Sequence, residues 1–164
     1  MTDDEEPSTI AAPGGSTDDP LGRGLRAIGV DLSRDQRDQL DALERLLIDG
    51  NRRFNLTAIT EHGEIQVRHF LDSLAPLPRL PARPFSAIDV GSGAGFPGLP
   101  IRIARPDAHV TLLEATGKKC TFLEAVAREL RLGDVEVVNQ RAEIQAQTWG
   151  YRERYDVAMA RGVA

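Results

Sequence analysis

The sequence predicts an α/β chain, a doubly wound and mostly parallel sheet behind an N-terminal helical section. Three observations carry this. The stretch AIDVGSGAGFPG, Ala87 to Gly98, joins an apolar run to a helical one through a glycine-rich turn. Beyond it, short apolar runs alternate with helix-period segments as far as Ala160, the pattern of parallel strands with right-handed crossovers. Ahead of it, residues 21–84 read as helices that end in a run of prolines.

The elements follow in chain order. Residues 1–20 carry six acids and no base, among Pro, Gly, Ser and Thr. They bury too little apolar surface to order themselves, so a disordered acidic tail is expected there. Leu21 to Val30 is expected as a short helix, weakened by Gly22 and Gly24. Ser33 and Gln36 form a capping box. Leu40, Leu43, Leu47 and Phe54 then mark one face of a helix over about residues 34–54, with Gly50 weakening its last turn. Thr60 reads as the cap of a further helix, on which Ile65, Phe70, Leu71 and Leu74 face a core. Pro76, Pro78, Pro81 and Pro84 end the helical section.

The central strand is expected over Phe85 to Val90, and LPIRIA after the turn as a helix with Pro100 in its first turn. Further strands are expected at His109 to Glu114, Val135 to Val138 and Tyr155 to Ala160. Between them lie a helix over Lys118 to Leu132, with Leu123, Val126, Ala127 and Leu130 inward, and a short one over Ala142 to Gln147. The sheet-forming domain is thus residues 85–164.

Bulk properties narrow the class. A chain of 164 residues with 41% hydrophobic and 27% charged content supports one soluble domain with a real core. No apolar run approaches a membrane span, and the acidic start is unlike a signal peptide. Cys120 is the single cysteine, which excludes an intrachain disulfide and a cysteine-based zinc site. No metal site and a cytoplasmic location are expected. The net charge of −5 is uneven: the first 20 residues supply −6 and the remainder, with 20 bases and 19 acids, is close to neutral.

The candidate chemistry clusters at strand ends. Gly91, Gly93 and Gly95 are spaced G-x-G-x-G, with the third glycine one residue earlier than in the dinucleotide fingerprint. This favours an S-adenosylmethionine site over a nicotinamide site. Glu114 ends the second strand, 23 residues after Gly91, where an acid accepts hydrogen bonds from both ribose hydroxyls of a nucleoside. Ala142 and Glu143 follow the third strand, beside the position of the cofactor's base. Arg161 follows the fourth strand, suited to a cofactor carboxylate, to an RNA phosphate or to a plain salt bridge. Arg68, His69, Asp72 and Ser73 lie on a helical stretch before the sheet, at spacings that pair 68 with 72 and 69 with 73. Lys118 and Lys119 open a helix, where cations oppose the dipole and hint at a nearby anion. Cys120 reads as a packing residue and Trp149 as a packed or loop tryptophan, with base stacking as the alternative.

The segments NLTAIT (55–60), RHFLDSL (68–74), IDVGSGAGFPGLPI (88–101), LLEATGKKCTFL (112–123) and MARGVA (159–164) resemble the bacterial guanine-N7 methyltransferases of small-subunit ribosomal RNA, long called glucose-inhibited division protein B. The resemblance covers about residues 21–164. It implies a class I (Rossmann-like) methyltransferase fold, S-adenosyl-L-methionine as methyl donor, and 16S ribosomal RNA or the small-subunit particle as partner. By motif position it places Gly91, Phe96, Ala142, Glu143 and Arg161 at the cofactor. Gly93, Gly95 and Glu114 join them from the loop and strand geometry. Arg68, His69 and Arg161 are the substrate-side candidates.

The family's sheet has seven strands in the order 3-2-1-4-5-7-6. This chain ends after its fourth, so a C-terminally truncated sheet is expected. Guanine N7 carries a free lone pair, so its methylation needs alignment rather than a dedicated base. The fourth strand is followed by ARGVA, not by the Asn/Asp-Pro-Pro-aromatic motif of exocyclic-amine methylation, and Cys120 is far from it in sequence. A small-molecule methyltransferase and a non-catalytic cofactor-binding fragment are the alternatives, with a nicotinamide oxidoreductase more distant.

Overall fold

The structure, a computed structural model, describes residues 19–148, 150, 151 and 153–162. Helix α1 (Pro20–Ala27) begins where Asp19 accepts the N–H of Gly22 at 2.8 Å, with Pro20 preset for the first turn. Asp19 also pairs with Arg37 at 3.2 Å. The tail expected over 1–20 is therefore corrected at its last two residues, which are a cap and a helix start. Residues 1–18 lie outside the described residues.

Helix α2 (Arg34–Phe54) carries the expected capping box: Ser33 accepts from the N–H of Gln36, and Gln36 accepts from that of Ser33. Gln36 does more. Its amide nitrogen donates to the carbonyls of Ile103 and Ala104, both at 3.0 Å, so one side chain serves two helix ends. Leu40, Leu43 and Leu47 are fully buried, each contributing about 1.5–3 kcal/mol. Gly50, expected to weaken the last turn, is also a close contact: a Cβ there would lie 2.6 Å from the ring of Phe122.

Next comes one continuous helical stretch in three parts: α3 (His62–Glu64), a π-helical segment (Ile65–Leu71) and α4 (Asp72–Leu74). Glu61, not Thr60, precedes it, and no side chain caps it. A 3₁₀ turn (Leu77–Arg79) leads through the prolines to the sheet.

The sheet has four parallel strands, β1 (Ser86–Val90), β2 (His109–Glu114), β3 (Val135–Asn139) and β4 (Val157–Ala160), in the order β3-β2-β1-β4. The doubly wound α/β class is as the sequence predicts. Ala87 pairs with Val110 and with Val157, placing β1 between β2 and β4. Phe85 and Tyr155, expected inside strands, lie just before them. Helices α5 (Gly98–Ala104) and α6 (Gly117–Glu129) cover one face, with α2 packed on both. The short α7 (Ala142–Gln145) lies with Tyr151 and Tyr155 over Ile88, Val90 and Ala158 on the other face. Phe122 is a core residue the periodicity did not single out.

Candidate functional site at the carboxyl ends of the strands

Parallel strands end together, so Val90, Glu114, Asn139 and Ala160 meet at one edge. The turn after β1 runs along that edge. Gly91, Gly93 and Gly95 have φ of 71°, 59° and 97°, the left-handed region that side chains avoid. Their surroundings differ. A Cβ on Gly93 would meet nothing nearer than the Gly91 carbonyl at 3.9 Å, so it faces open space. A Cβ on Gly95 would run into Leu99, so Gly95 faces the protein. Gly98, which the motif spacing passed over, lets α5 sit against the strands: a Cβ there would strike Leu112 and lie 2.9 Å from Asp89 Oδ2. The helix-packing glycine of this loop is therefore present, three residues after Gly95.

The loop's backbone is anchored from within. The N–H groups of Gly91 and Ser92 both donate to Leu113 O, at 2.8 and 3.1 Å. Gly93 N–H donates to Glu114 Oε2 at 2.9 Å, and Thr116 N–H to Glu114 Oε1 at 2.8 Å. Burial raises the Glu114 pKa, and these bonds, with Lys119 nearby, reverse the effect and leave it below the usual carboxylate range. The anion that Lys118 and Lys119 hinted at includes Glu114 itself. The Thr116 side chain adds a further hydrogen bond, and the carboxylate, with four lone-pair positions, keeps acceptor capacity for a ribose hydroxyl.

Asp89 sits beneath the loop, fully buried. Its Oδ2 accepts the Gly98 N–H at 2.9 Å, while Oδ1 has no hydrogen-bond partner among the described residues. Burial pushes its pKa up to about 6, against the Gly98 bond and the charge of Arg161. An orphaned buried acceptor beneath an open glycine loop is a place for a donor from a bound molecule.

Two hollows open at this edge, one beside the loop and one beside Arg161. One, of about 310 Å³, is lined by Val90, Gly91, Leu113, Glu114, Ala142 and Glu143, which gathers the candidates from three strand ends. The other, of about 520 Å³, is lined by Ile59, Val67, Arg68, His69, Asp72 and Arg161. Phe96 stands behind the second. It is 3% exposed and stacks on His69, with ring centroids 4.5 Å apart and planes within 5°. It supports the wall rather than presenting its ring to the hollow.

Arg161, at the end of β4, closes this cluster. Its Nη1 donates to the Arg68 carbonyl at 2.9 Å and to Asp72 Oδ2 at 3.1 Å, and its Nη2 lies 3.0 Å from His69 Nδ1. All three partners sit on or beside the π-helical segment. Burial, then the charges of Arg161 and Arg68, press the His69 pKa down to about 4, so the ring is neutral at pH 7. Thr57, which no motif reasoning singled out, receives the ring's other nitrogen at 3.0 Å. Cys120 is buried and reaches the Glu114 carbonyl, a packing role as expected. Trp149 lies outside the described residues. Among the described residues no group of His, Cys, Asp and Glu is placed to hold a metal, and no helix is long and apolar enough to cross a membrane.

Residues 36–164 match the family model described as GidB, rRNA small subunit methyltransferase G. The chain belongs to that family. Relatives named ribosomal RNA small subunit methyltransferase G include those of Dehalococcoides mccartyi, 45% identical over 141 residues (86% of this chain and 60% of the relative), and Roseiflexus castenholzii, 46% identical over 146 residues (89% and 62%). That of Alkaliphilus oremlandii is 42% identical over 147 residues, 89% of this chain and 62% of the relative. The chain thus spans about 60% of the length of the rRNA small subunit methyltransferase G proteins it matches. A solved structure of coclaurine N-methyltransferase, bound to N-methylheliamine and SAH, overlaps 74% of this chain and 43% of its own at a TM-score of 0.39 and 15% identity.

Proposed function

We propose that this chain carries the cofactor-binding part, and one wall of the substrate site, of an S-adenosylmethionine-dependent methyltransferase acting on guanine N7 of 16S ribosomal RNA. The observation that carries the reading is the meeting of the glycine loop and Arg161 at one sheet edge, with a hollow beside each. The residues fit the cofactor. Gly93 leaves room, Asp89 Oδ1 lacks a donor, and Glu114 keeps acceptor capacity beside Ala142 and Glu143.

When bound, S-adenosylmethionine supplies an electrophilic methyl group on a sulfonium. The chain's own residues bind and orient. Glu114 and the backbone at Ala142 and Glu143 would hold the nucleoside end, and the Gly91–Gly95 loop would admit the rest. Arg161 brings a fixed positive charge to the second hollow, suited to the cofactor carboxylate or to an RNA phosphate. His69 is neutral and already bonded at both nitrogens, so it is not a proton acceptor for the reaction. That agrees with the target: N7 offers a lone pair and has no proton to lose, so positioning carries the rate. A cytoplasmic location and a ribosomal particle as substrate belong to the same proposal.

The test is Arg161→Ala in a protein of the relatives' full length. Methyl incorporation into protein-free 16S rRNA should fall by at least about 100-fold, as for a misplaced reacting group. Parental turnover would leave Arg161 as a structural ion pair. Methylation of a small-molecule panel with none of RNA would favour the small-molecule alternative.

A further inference from the structure

The mouth of the second hollow depends on which nitrogen of His69 carries the proton. Arg161 can only donate, so the bond to Nδ1 requires Nδ1 to be the bare nitrogen. The proton of the neutral ring then sits on Nε2, which lies 3.0 Å from Thr57 Oγ1. The hydroxyl also accepts the N–H of Ile59 at 3.0 Å, so N–H donors fill both of its acceptor positions. Thr57 is itself held in place. Asn51, in the last turn of α2, accepts the N–H groups of Leu56 and Thr57 at 2.6 and 2.9 Å. Asn55, in the left-handed conformation, turns the chain out of the helix toward them.

We propose that Thr57 is a positioning residue of the site: its hydroxyl bonds the Nε2–H that Arg161 imposes on His69, and so anchors the ring whose Nδ1 receives Arg161 at the hollow. The inference rests on the reading of Arg161 given under the proposed function. Thr57 thereby gives the NLTAIT stretch a role that the cofactor loop does not explain. The Nδ1–H tautomer and the doubly protonated ring would each turn a donor against the donor of Arg161. Arg161, which has no lone pair to accept from Nδ1–H, disfavours the first, and Thr57 anchors the ring from the Nε2 side. Burial and the charges of Arg161 and Arg68 disfavour the second, against the single charge of Asp72. Phe96, stacked on the ring, keeps the imidazole plane from rotating. Arg161 keeps its bonds to the Arg68 carbonyl and Asp72 in any case, so loss of the hydroxyl loosens the guanidinium without freeing it.

Nitrogen-15 NMR of the ligand-free 164-residue chain reads the tautomer before cofactor or RNA is added. The His69 signals are assigned by difference from His69→Gln. The parent and Thr57→Ser should show the Nε2–H form with a hydrogen-bonded Nε2 shift, and Thr57→Val should lose that shift. In a protein of the relatives' length, Thr57→Val should lower kcat roughly tenfold, the scale of one buried hydrogen bond, and Thr57→Ser should restore it. A parent ring in the Nδ1–H or charged form overturns the proposal, as does a Thr57→Val ring whose Nε2 shift is that of the parent. Should Thr57→Val fail to fold, the parent and Thr57→Ser rings still decide. Calorimetric titration of the parent with S-adenosylmethionine is read separately. Failure to bind there, with the tautomer as expected, sinks the proposed function and not the relay.

Discussion

Replacing Gly98 with alanine tests whether the glycines of one loop divide between packing and access. The added Cβ would strike Leu112 and lie 2.9 Å from Asp89 Oδ2 and 3.2 Å from Asp89 Cβ. Leu112 is 0% exposed, so its side chain has no free space to enter. α5 must back away from the sheet, an overpacking that costs about 1–3 kcal/mol. Backing away also stretches the Gly98–Asp89 bond and leaves both oxygens of a buried carboxylate without a partner, adding about 1 kcal/mol. The sum is about 2–4 kcal/mol, or a Tm lower by roughly 4–16 °C for a domain of this size. At Gly93 there is no collision. Only its φ of 59° penalises a side chain, by about 1–2 kcal/mol. Gly98→Ala should therefore lose stability while its folded fraction keeps its affinity for S-adenosylmethionine. Gly93→Val should lose affinity with the smaller fall in Tm. Scanning calorimetry and titration calorimetry measure the two. A Gly98→Ala chain as stable as the parent would refute the packing assignment, and a Gly93→Val chain of parental affinity would refute the open side.

Gln36→Ala removes half of the α2 capping box and both bonds to the end of α5, and should cost about 1–2 kcal/mol by urea unfolding with S-adenosylmethionine affinity intact. Asp89, raised to about 6 from 3.8, binds more protons folded than unfolded between those values, so its contribution to stability falls as pH rises through that window. The Tm of Asp89→Asn minus that of the parent should accordingly grow between pH 4 and pH 7, and a flat difference would contradict the buried charge. His69, lowered to about 4 from 6.5, has the opposite sign: its contribution is complete above 6.5 and is lost as pH falls toward 4. Arg161→Ala removes a charge that opposes protonation, so the NMR titration of His69 should move upward from about 4.

The sheet was legible because short apolar runs alternate with helix-period segments, most clearly at β2, which is buried on both faces. β2, buried along nearly its whole length, was bounded to the residue, whereas β4, half exposed, was read two residues too long. The capping box was legible because its signal is local, four residues long. Gly98 was not, because its neighbour Leu112 comes from the next strand and no spacing rule encodes that distance. The π-helical segment left no trace either: over seven residues its period is indistinguishable from that of an α-helix. At the site, Glu114, Arg161 and the RHFLDS stretch were found as candidates. Their mutual arrangement was not, since His69 and Arg161 lie 92 positions apart. Thr57 was passed over because a single hydroxyl that meets a histidine 12 residues on has no sequence signature.

The strand order also sets a sequence of events during folding. β1 can pair with β2 after closing a loop of 23 residues, Ala87 to Val110, but must close 70, Ala87 to Val157, to pair with β4. The longer closure costs about 1 kcal/mol more in chain entropy, and pairing at such separation is slow. β4 therefore docks last, carrying Arg161 against the π-helical segment in the same step. Until that step the glycine loop is formed but its far wall is not. A chain emerging from synthesis would gain the glycine loop first and the hollow beside Arg161 only when β4 docks. Pulsed hydrogen exchange during refolding should find the β4 amides protected after those of β1 and β2, and simultaneous protection would exclude this order.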